Sequence, residues 1–125
     1  MNTLWLAFIF KHIIIDYYLQ FPFMYLNKAT YGNLKGFSHS LAHGVGTFLV
    51  LLCFGYELNL LLLALLFDTV LHYHIDYTKS NIMRRNKYTS SDQMFWVLHG
   101  TDQLLHLITY FVIIGFVTTT GINLW

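Results

Sequence analysis

The chain has 125 residues, of which 56% are hydrophobic and only 10% are charged. Because soluble domains have roughly a quarter of their residues charged, this composition indicates a membrane protein, and the length indicates one domain, residues 1–125. A net charge of +1 excludes the basic surface that nucleic-acid binding needs, and a single cysteine, Cys53, excludes an intrachain disulfide or a cysteine-based zinc motif.

Four apolar segments predict an all-α fold, an integral membrane four-helix bundle with helices at residues 3–21, 38–56, 60–77 and 92–119. Each segment has about 17 to 20 apolar residues, the length of a membrane span, although a very apolar soluble bundle would show similar lengths. Pro22 disfavours helix at the residue before it and is expected to end the first helix. Ser38 is expected to cap the second helix, and the polar residues 78–91 predict a solvated loop.

The basic residues are unevenly distributed along the chain. Six of the seven Lys and Arg residues lie in the first and third connections of the predicted bundle. Since positively charged loops remain in the cytoplasm, both termini are expected on the extracytoplasmic side of a bacterial inner membrane.

The predicted helices carry four pairs of His or Asp residues spaced four residues apart. The pairs are His12/Asp16, His39/His43, His72/Asp76 and Asp102/His106. This spacing places both members of a pair on one helix face, and the predicted topology puts all four pairs in the cytoplasmic half. Helix bundles build metal sites from such inward-facing pairs, so the eight residues are predicted to hold one or two divalent ions.

The ligand types favour zinc, with iron or manganese as alternatives, because imidazole and carboxylate ligands without thiolate are typical of these ions. A carboxylate inside the bilayer costs about 2.5 to 3.5 kcal/mol, and Lys11 is the basic residue within an apolar span, so a cation is expected to compensate the aspartates. Asp68 is expected to orient the His72 ring or to bind the metal itself. His99 is expected to be a spare ligand, whereas His74 is expected to point away from the metal site.

Two other readings of the pairs stay open. Hydrogen-bonded His/Asp contacts can hold helices together without a metal, and chains of His and Asp can carry protons. A proton path is disfavoured because residues 45–66 and 110–125 have almost no ionisable side chain to continue it.

The order and spacing of these residues resemble a known family. The pattern is His12-x-x-x-Asp16-x-x-x-Gln20, Lys28, His39-x-x-x-His43, His72-x-x-x-Asp76-x-x-Lys79 and Asp102-Gln103-x-x-His106. It resembles a domain-of-unknown-function family of small phage and bacterial membrane proteins, which implies a four-helix membrane protein without an assigned activity. A more distant likeness is to membrane-bound predicted metal-dependent hydrolases and, through them, to zinc-dependent phospholipase C. The N-terminal Trp ligand of those secreted enzymes has no counterpart, since Trp5 is internal.

Clustered divalent ions suit phosphoester hydrolysis, so a metal-dependent hydrolase acting on a lipid headgroup or another phosphoester at the cytoplasmic membrane face is the predicted function. Lys79 is expected to bind the phosphate, and Gln20 and Gln103 to orient ligands or substrate. The alternative is a non-catalytic phage membrane factor with a purely structural cluster. Its basic segment 78–91 would bind a host membrane protein or anionic lipid.

Overall fold

The computed structural model describes residues 2–121, and all regular structure in this range is helical, as predicted. The elements are α1 (Asn2–Ile13), a π-helical segment (Ile14–Tyr18), α2 (Pro22–Tyr25), α3 (Leu34–Cys53), α4 (Leu58–Asn86) and α5 (Gln93–Thr120). By length and composition, α3, α4 and α5 can each cross a membrane. The described range therefore has five α-helices, three of them long and apolar, where the sequence predicted four.

The first predicted helix, residues 3–21, is divided in the structure. α1 ends at Ile13, and the next residues form a π-helix in which the Leu19 amide donates to the Ile14 carbonyl at 3.1 Å. Phe21 is extended, as expected for a residue before proline, and Pro22 opens the short helix α2. π-helical turns occur often at functional sites, and this one carries Asp16.

The second long helix begins earlier than predicted. Its cap is Asn33, whose side chain accepts the backbone N–H of Lys35 at 2.9 Å, so α3 starts at Leu34. Ser38 lies inside the helix, where its hydroxyl donates to the Lys35 carbonyl at 2.7 Å, and the prediction that it caps the helix is wrong. The residue spacing of the site is unaffected, because both predicted histidines of α3 remain in the helix.

The predicted loop 78–91 is helical as far as Asn86. This stretch contains no Gly or Pro to interrupt α4, which ends only where Lys87 adopts a left-handed backbone with φ of 56°. The amides of Lys87 and Tyr88 then donate to the Arg84 and Met83 carbonyls at 3.3 and 3.1 Å, a common helix-ending motif. At 29 residues α4 is about 43 Å long and exceeds the roughly 30 Å hydrocarbon layer.

The interior divides into two regions with different chemistry. The apolar half is the cluster Leu4, Phe8, Leu51, Tyr56, Leu61, Ala64, Tyr110, Ile113, Ile114 and Val117. The polar half contains the buried side chains Lys11, His12, Lys28, His39, His43, Asp68, His72, Asp76, Asp102 and His106, together with the partly buried Asp16. Large apolar side chains such as Leu62 and Phe111 are exposed on the outside. An apolar exterior over a charged interior is the arrangement expected of a protein surrounded by lipid.

Candidate metal centre

Four elements bring the predicted ligands to the polar half. The end of α1 and the π-helical segment supply His12 and Asp16, the first turns of α3 supply two histidines, and α4 and α5 supply one His/Asp pair each. All eight side chains are buried except that of Asp16, which is 14% exposed. His74 is exposed and its ring contacts the Val70 carbonyl and Tyr31, as expected for a residue outside the site.

A first group of side chains that can hold a metal ion consists of Asp16, His39, His43 and His72. One ligand atom from each lies within 4.8 Å of the others. Asp16 Oδ1 is 2.9 Å from His43 Nε2 and 3.2 Å from His39 Nε2. Three imidazoles and one carboxylate are a donor set that suits tetrahedral zinc.

A second group consists of His72, Asp76 and His106, and it shares His72 with the first. The two carboxylate oxygens of Asp76 lie 3.4 Å from His72 Nε2 and 3.4 Å from His106 Nε2. The His72 ring is stacked between those of His43 and His106, with centroid separations of 3.7 and 3.9 Å. The two groups are therefore adjacent parts of one cluster.

Several buried ligand atoms of this cluster have no hydrogen-bond partner in the described part of the chain. They include both ring nitrogens of His39 and of His72, His106 Nε2 and Asp102 Oδ1. Carboxylate oxygens lie 3.2 to 3.6 Å from His39, His72 and His106, but without the alignment of a hydrogen bond. Leaving a buried polar group unpaired costs about 1 to 3 kcal/mol, so convergent free nitrogens fit a site for a cation.

Three lysines neutralise three aspartates of the polar half. The ammonium–carboxylate distances are 2.7 Å for Lys11–Asp68, 2.7 Å for Lys28–Asp76 and 2.8 Å for Lys79–Asp102. The expectation that Lys11 alone was available for compensation is wrong, because Lys28 and Lys79 reach inward on long side chains.

Asp16 differs from these three aspartates. Among the described residues it has no lysine at salt-bridge distance, and its carboxylate contacts imidazole nitrogens and the Gln103 amide instead. Among the described residues the polar half therefore has four carboxylates and three ammonium groups, and Asp16, in the first group, is the carboxylate without a lysine partner.

Asp68 does not orient His72 as the sequence suggested. Its Oδ2 accepts from Lys11 at 2.7 Å and from Thr47 at 2.5 Å, and Lys11 also donates to the His43 carbonyl at 3.1 Å. Both His72 nitrogens remain free. The Lys11–Asp68 pair is thus a separate buried ion pair between the apolar half and the metal groups.

His12 and Asp102, two of the eight predicted ligands, lie outside both groups. His12 Nε2 is 2.9 Å from Gln103 Oε1, and its Nδ1 is 2.8 Å from Tyr110 Oη, which also lies 3.3 Å from His43 Nδ1. Tyr110 is not among the site residues predicted from the sequence. Its position four residues after His106, on the same face of α5, is the signal that identifies it.

A cavity of about 350 Å³ opens beside the metal groups. Asp16 and Asp76 line it, and so do all three residues predicted to contact substrate, Gln20, Lys79 and Gln103. Lys28 and His99 also line it. Gln20 uses its amide only toward the Asp16 carbonyl at 3.2 Å, whereas Lys79 and Gln103 bond to the Asp102 carboxylate. The cavity therefore borders both metal groups, at Asp16 and at Asp76.

Comparison with known proteins gives a family but no activity. The sequence model of a family described as "Protein of unknown function (DUF3307)" matches residues 4–125, so the chain belongs to this family, in agreement with the resemblance seen in the sequence. No curated protein and no solved structure matches the chain.

Proposed function

We propose that this DUF3307 protein is a membrane-embedded metal-binding protein that hydrolyses a phosphoester at the membrane surface. One observation carries the metal site: buried imidazole nitrogens converge on Asp16, the one aspartate of the polar half without a lysine partner among the described residues.

Asp16, His39, His43 and His72 would hold the ion, with a second position at His72, Asp76 and His106. Both ring nitrogens of His72 lack a partner, so the donor set has room for one or two ions. Zinc is the first choice because imidazole and carboxylate without thiolate suit it, and iron or manganese follow. When bound, a divalent ion supplies a water-derived nucleophile and polarises a phosphoryl oxygen.

The cavity supports a phosphoester as the substrate. Lys28 and Lys79 line it, and although each is paired with an aspartate, an ammonium group has further N–H donors that can bind a phosphate oxygen. Gln20 adds an amide whose Nε2 donates to the Asp16 backbone carbonyl and whose oxygen has no partner among the described residues, so this oxygen is available to orient the substrate. A phosphate held there lies beside Asp16 and Asp76, which line the same cavity.

We propose further that the segment Asn2–Tyr18 acts with α3, α4 and α5 as a four-span bundle in a bacterial inner membrane. Support comes from the basic residues at the polar end, where Arg84 and Arg85 extend α4 and Lys28 and Lys35 precede or open α3. By the positive-inside rule this end faces the cytoplasm, and a lipid headgroup of the inner leaflet is then the nearest phosphoester.

The experiment is a metal-dependent hydrolysis assay with protein purified in mild detergent. The protein is stripped with chelator, reloaded with zinc, iron or manganese, and mixed with vesicles of phosphatidic acid or phosphatidylglycerol and with a soluble aryl phosphate. Release of phosphate or headgroup should require metal. Gln20→Ala should lower turnover while metal content and stability stay at the wild-type level, because Gln20 bonds only its own backbone segment.

The three Lys–Asp pairs favour a second candidate, a non-catalytic membrane factor, phage-encoded or bacterial, in which the cluster only joins the helices. It would bind a host membrane protein or anionic lipid through its basic segment 78–91. Full metal loading with no turnover on any of these substrates would favour this candidate over the hydrolase.

A further inference from the structure

We infer that Gln103, His12, Tyr110 and His43 form a hydrogen-bonded relay that fixes which ring nitrogen of each histidine carries hydrogen and leaves His43 Nε2 free to bind the metal. In this relay Tyr110 and His12 are positioning residues. The role of His43 as a ligand and the hydrogen on its Nδ1 rest on the proposed metal site, whereas the hydrogen position on His12 follows from its hydrogen bonds alone.

The relay begins at the side-chain amide of Gln103. Its Nε2 is 3.2 Å from Asp102 Oδ2 and 3.5 Å from Asp16 Oδ2. Carboxylates only accept hydrogen bonds, so the NH₂ end of the amide must face them. The amide oxygen is thereby directed to His12, and the orientation of Gln103 follows from two independent neighbours.

His12 is the next member. Its Nε2 faces two acceptors, Gln103 Oε1 at 2.9 Å and Asp16 Oδ2 at 3.2 Å, and therefore carries hydrogen. A neutral imidazole has one hydrogen, so Nδ1 has a lone pair and accepts from the Tyr110 hydroxyl at 2.8 Å. Both nitrogens of His12 are occupied, which accounts for its place outside the two metal groups.

The Tyr110 hydroxyl connects His12 to His43. A phenol has a single hydrogen, and the bond to His12 uses it, so the Tyr110 oxygen, 3.3 Å from His43 Nδ1, is an acceptor for a hydrogen on that nitrogen. His43 Nε2 lies 2.9 Å from Asp16 Oδ1, and without a cation an Nε2–H donates to this carboxylate. When a cation takes the place of that hydrogen, Nε2 supplies its lone pair and Tyr110 accepts the hydrogen on Nδ1, so the relay supports the metal-bound form of His43.

The surroundings of Tyr110 make it suited to this task. Its side chain is fully buried and packs on Phe8 with ring centroids 5.3 Å apart, in the apolar half. The ring is thus held by packing while its hydroxyl reaches into the polar half. Partners that fix ligand histidines in this way typically change metal affinity about 10- to 100-fold when they are removed.

The test is two-bond ¹H–¹⁵N correlation NMR of the full chain in detergent micelles, with histidine signals assigned from single His→Gln variants. We expect hydrogen on Nε2 but not on Nδ1 of His12 in both the metal-free and the zinc-loaded wild type, and hydrogen on Nδ1 of His43 in the zinc-loaded protein. Hydrogen on Nδ1 of His12, or a zinc-loaded His43 without hydrogen on Nδ1, would overturn the relay. The His12 result needs no substitution and no bound metal.

A matched pair of variants tests the consequence. Tyr110→Phe removes the donor to His12 Nδ1 and the acceptor for His43 Nδ1–H, and should change the His12 signals and weaken zinc binding about 10- to 100-fold by isothermal titration. Tyr56→Phe, another buried tyrosine of the apolar half, should change neither. Unchanged histidine signals and affinity in Tyr110→Phe would contradict the relay. Absence of zinc binding in the wild type would instead overturn the proposed metal site and leave the hydrogen positions to be decided by NMR.

Discussion

The apolar half and the polar half of the bundle are held together by different forces. In the apolar half, side chains such as Phe8, Leu51 and Leu61 pack against each other, while many exposed side chains outside are equally apolar. With lipid as solvent, hydrophobicity gives little preference for inside over outside, so shape and close packing decide. In the polar half, buried charges cannot face lipid and require named partners. We conclude that the polar half determines which helix faces which, and the apolar half adds tight packing.

The largest effect is expected where one member of a buried ion pair is lost. Lys11→Met leaves the Asp68 carboxylate with only Thr47 as a partner, and should lower the free energy of unfolding by about 3 to 5 kcal/mol. Lys11→Met with Asp68→Leu should recover most of this loss, since no charge stays unpaired. Denaturant titration in micelles measures both. A double variant as unstable as the single one would mean that packing, not pairing, governs the polar half.

A smaller effect is expected from a cavity in the apolar half. Leu61 is 1% exposed and its replacement in Leu61→Ala should cost about 2 kcal/mol, at the low end for core leucines because lipid is as apolar as the core. Leu62, the next residue, is 51% exposed and serves as the control. Equal losses of unfolding free energy for Leu61→Ala and Leu62→Ala in the same assay would contradict this. They would show that packing inside the bundle stabilises the protein no more at this point than contacts on its outer surface do.

The contact between α3 and α4 connects the apolar half with the polar half. Gly44 permits this contact because it has no side chain. A Cβ at this position would lie 2.6 Å from the Leu65 carbonyl oxygen and would collide with the Thr69 hydroxyl, so Gly44→Ala should cost about 1 to 3 kcal/mol. Gly100 on α5 has open space around it, and Gly100→Ala should be neutral or slightly stabilising. Comparable destabilisation of both variants would argue that the close approach of α3 and α4 is not the reason why Gly44→Ala is destabilising.

The smallest effect on stability is expected at Asp16, although its effect on metal binding is large. Since Asp16 has no lysine partner among the described residues, Asp16→Asn leaves no ammonium group unpaired and should cost the metal-free protein about 1 kcal/mol or less. Zinc affinity should fall by at least the roughly 100-fold known for lost supporting groups. A loss of stability as large as that of Lys11→Met would show that Asp16, like Asp68, stabilises the fold by pairing with other side chains.

The spacing of the His and Asp pairs was sufficient to predict that they meet in one half of the bundle, because the four-residue interval and the alternating helix directions both follow from sequence. The partners of the aspartates were not predictable in the same way. Lys28 lies in a connection, and its contact with Asp76 depends on how residues 22–33 fold back over the helix ends. Asp68 lies one turn from His72, but its pairing with Lys11 is set by the distance between two helices.

Helix boundaries show a similar limit. The polarity of residues 78–91 indicated solvent exposure, and an exposed helix satisfies that pattern as well as a loop does, so α4 continues to Asn86. The π-helical segment around Asp16 has no recognisable signal in the sequence. The isoleucine run at its start is compatible with α-helix, and in the structure the segment holds the Asp16 carboxylate 2.9 Å from His43 of α3.

The most direct test of the metal site is elemental analysis of protein purified in mild detergent without a histidine tag, with the metal content normalised to chain concentration. We predict at least one equivalent of zinc, iron or manganese per chain in wild type and in His74→Ala, whose ring is exposed and outside both groups. Metal should be lost from the double variant His39→Ala with His72→Ala. A wild-type protein that holds no such metal and takes none up on titration, or a double variant that retains the full equivalent, would contradict the proposed site.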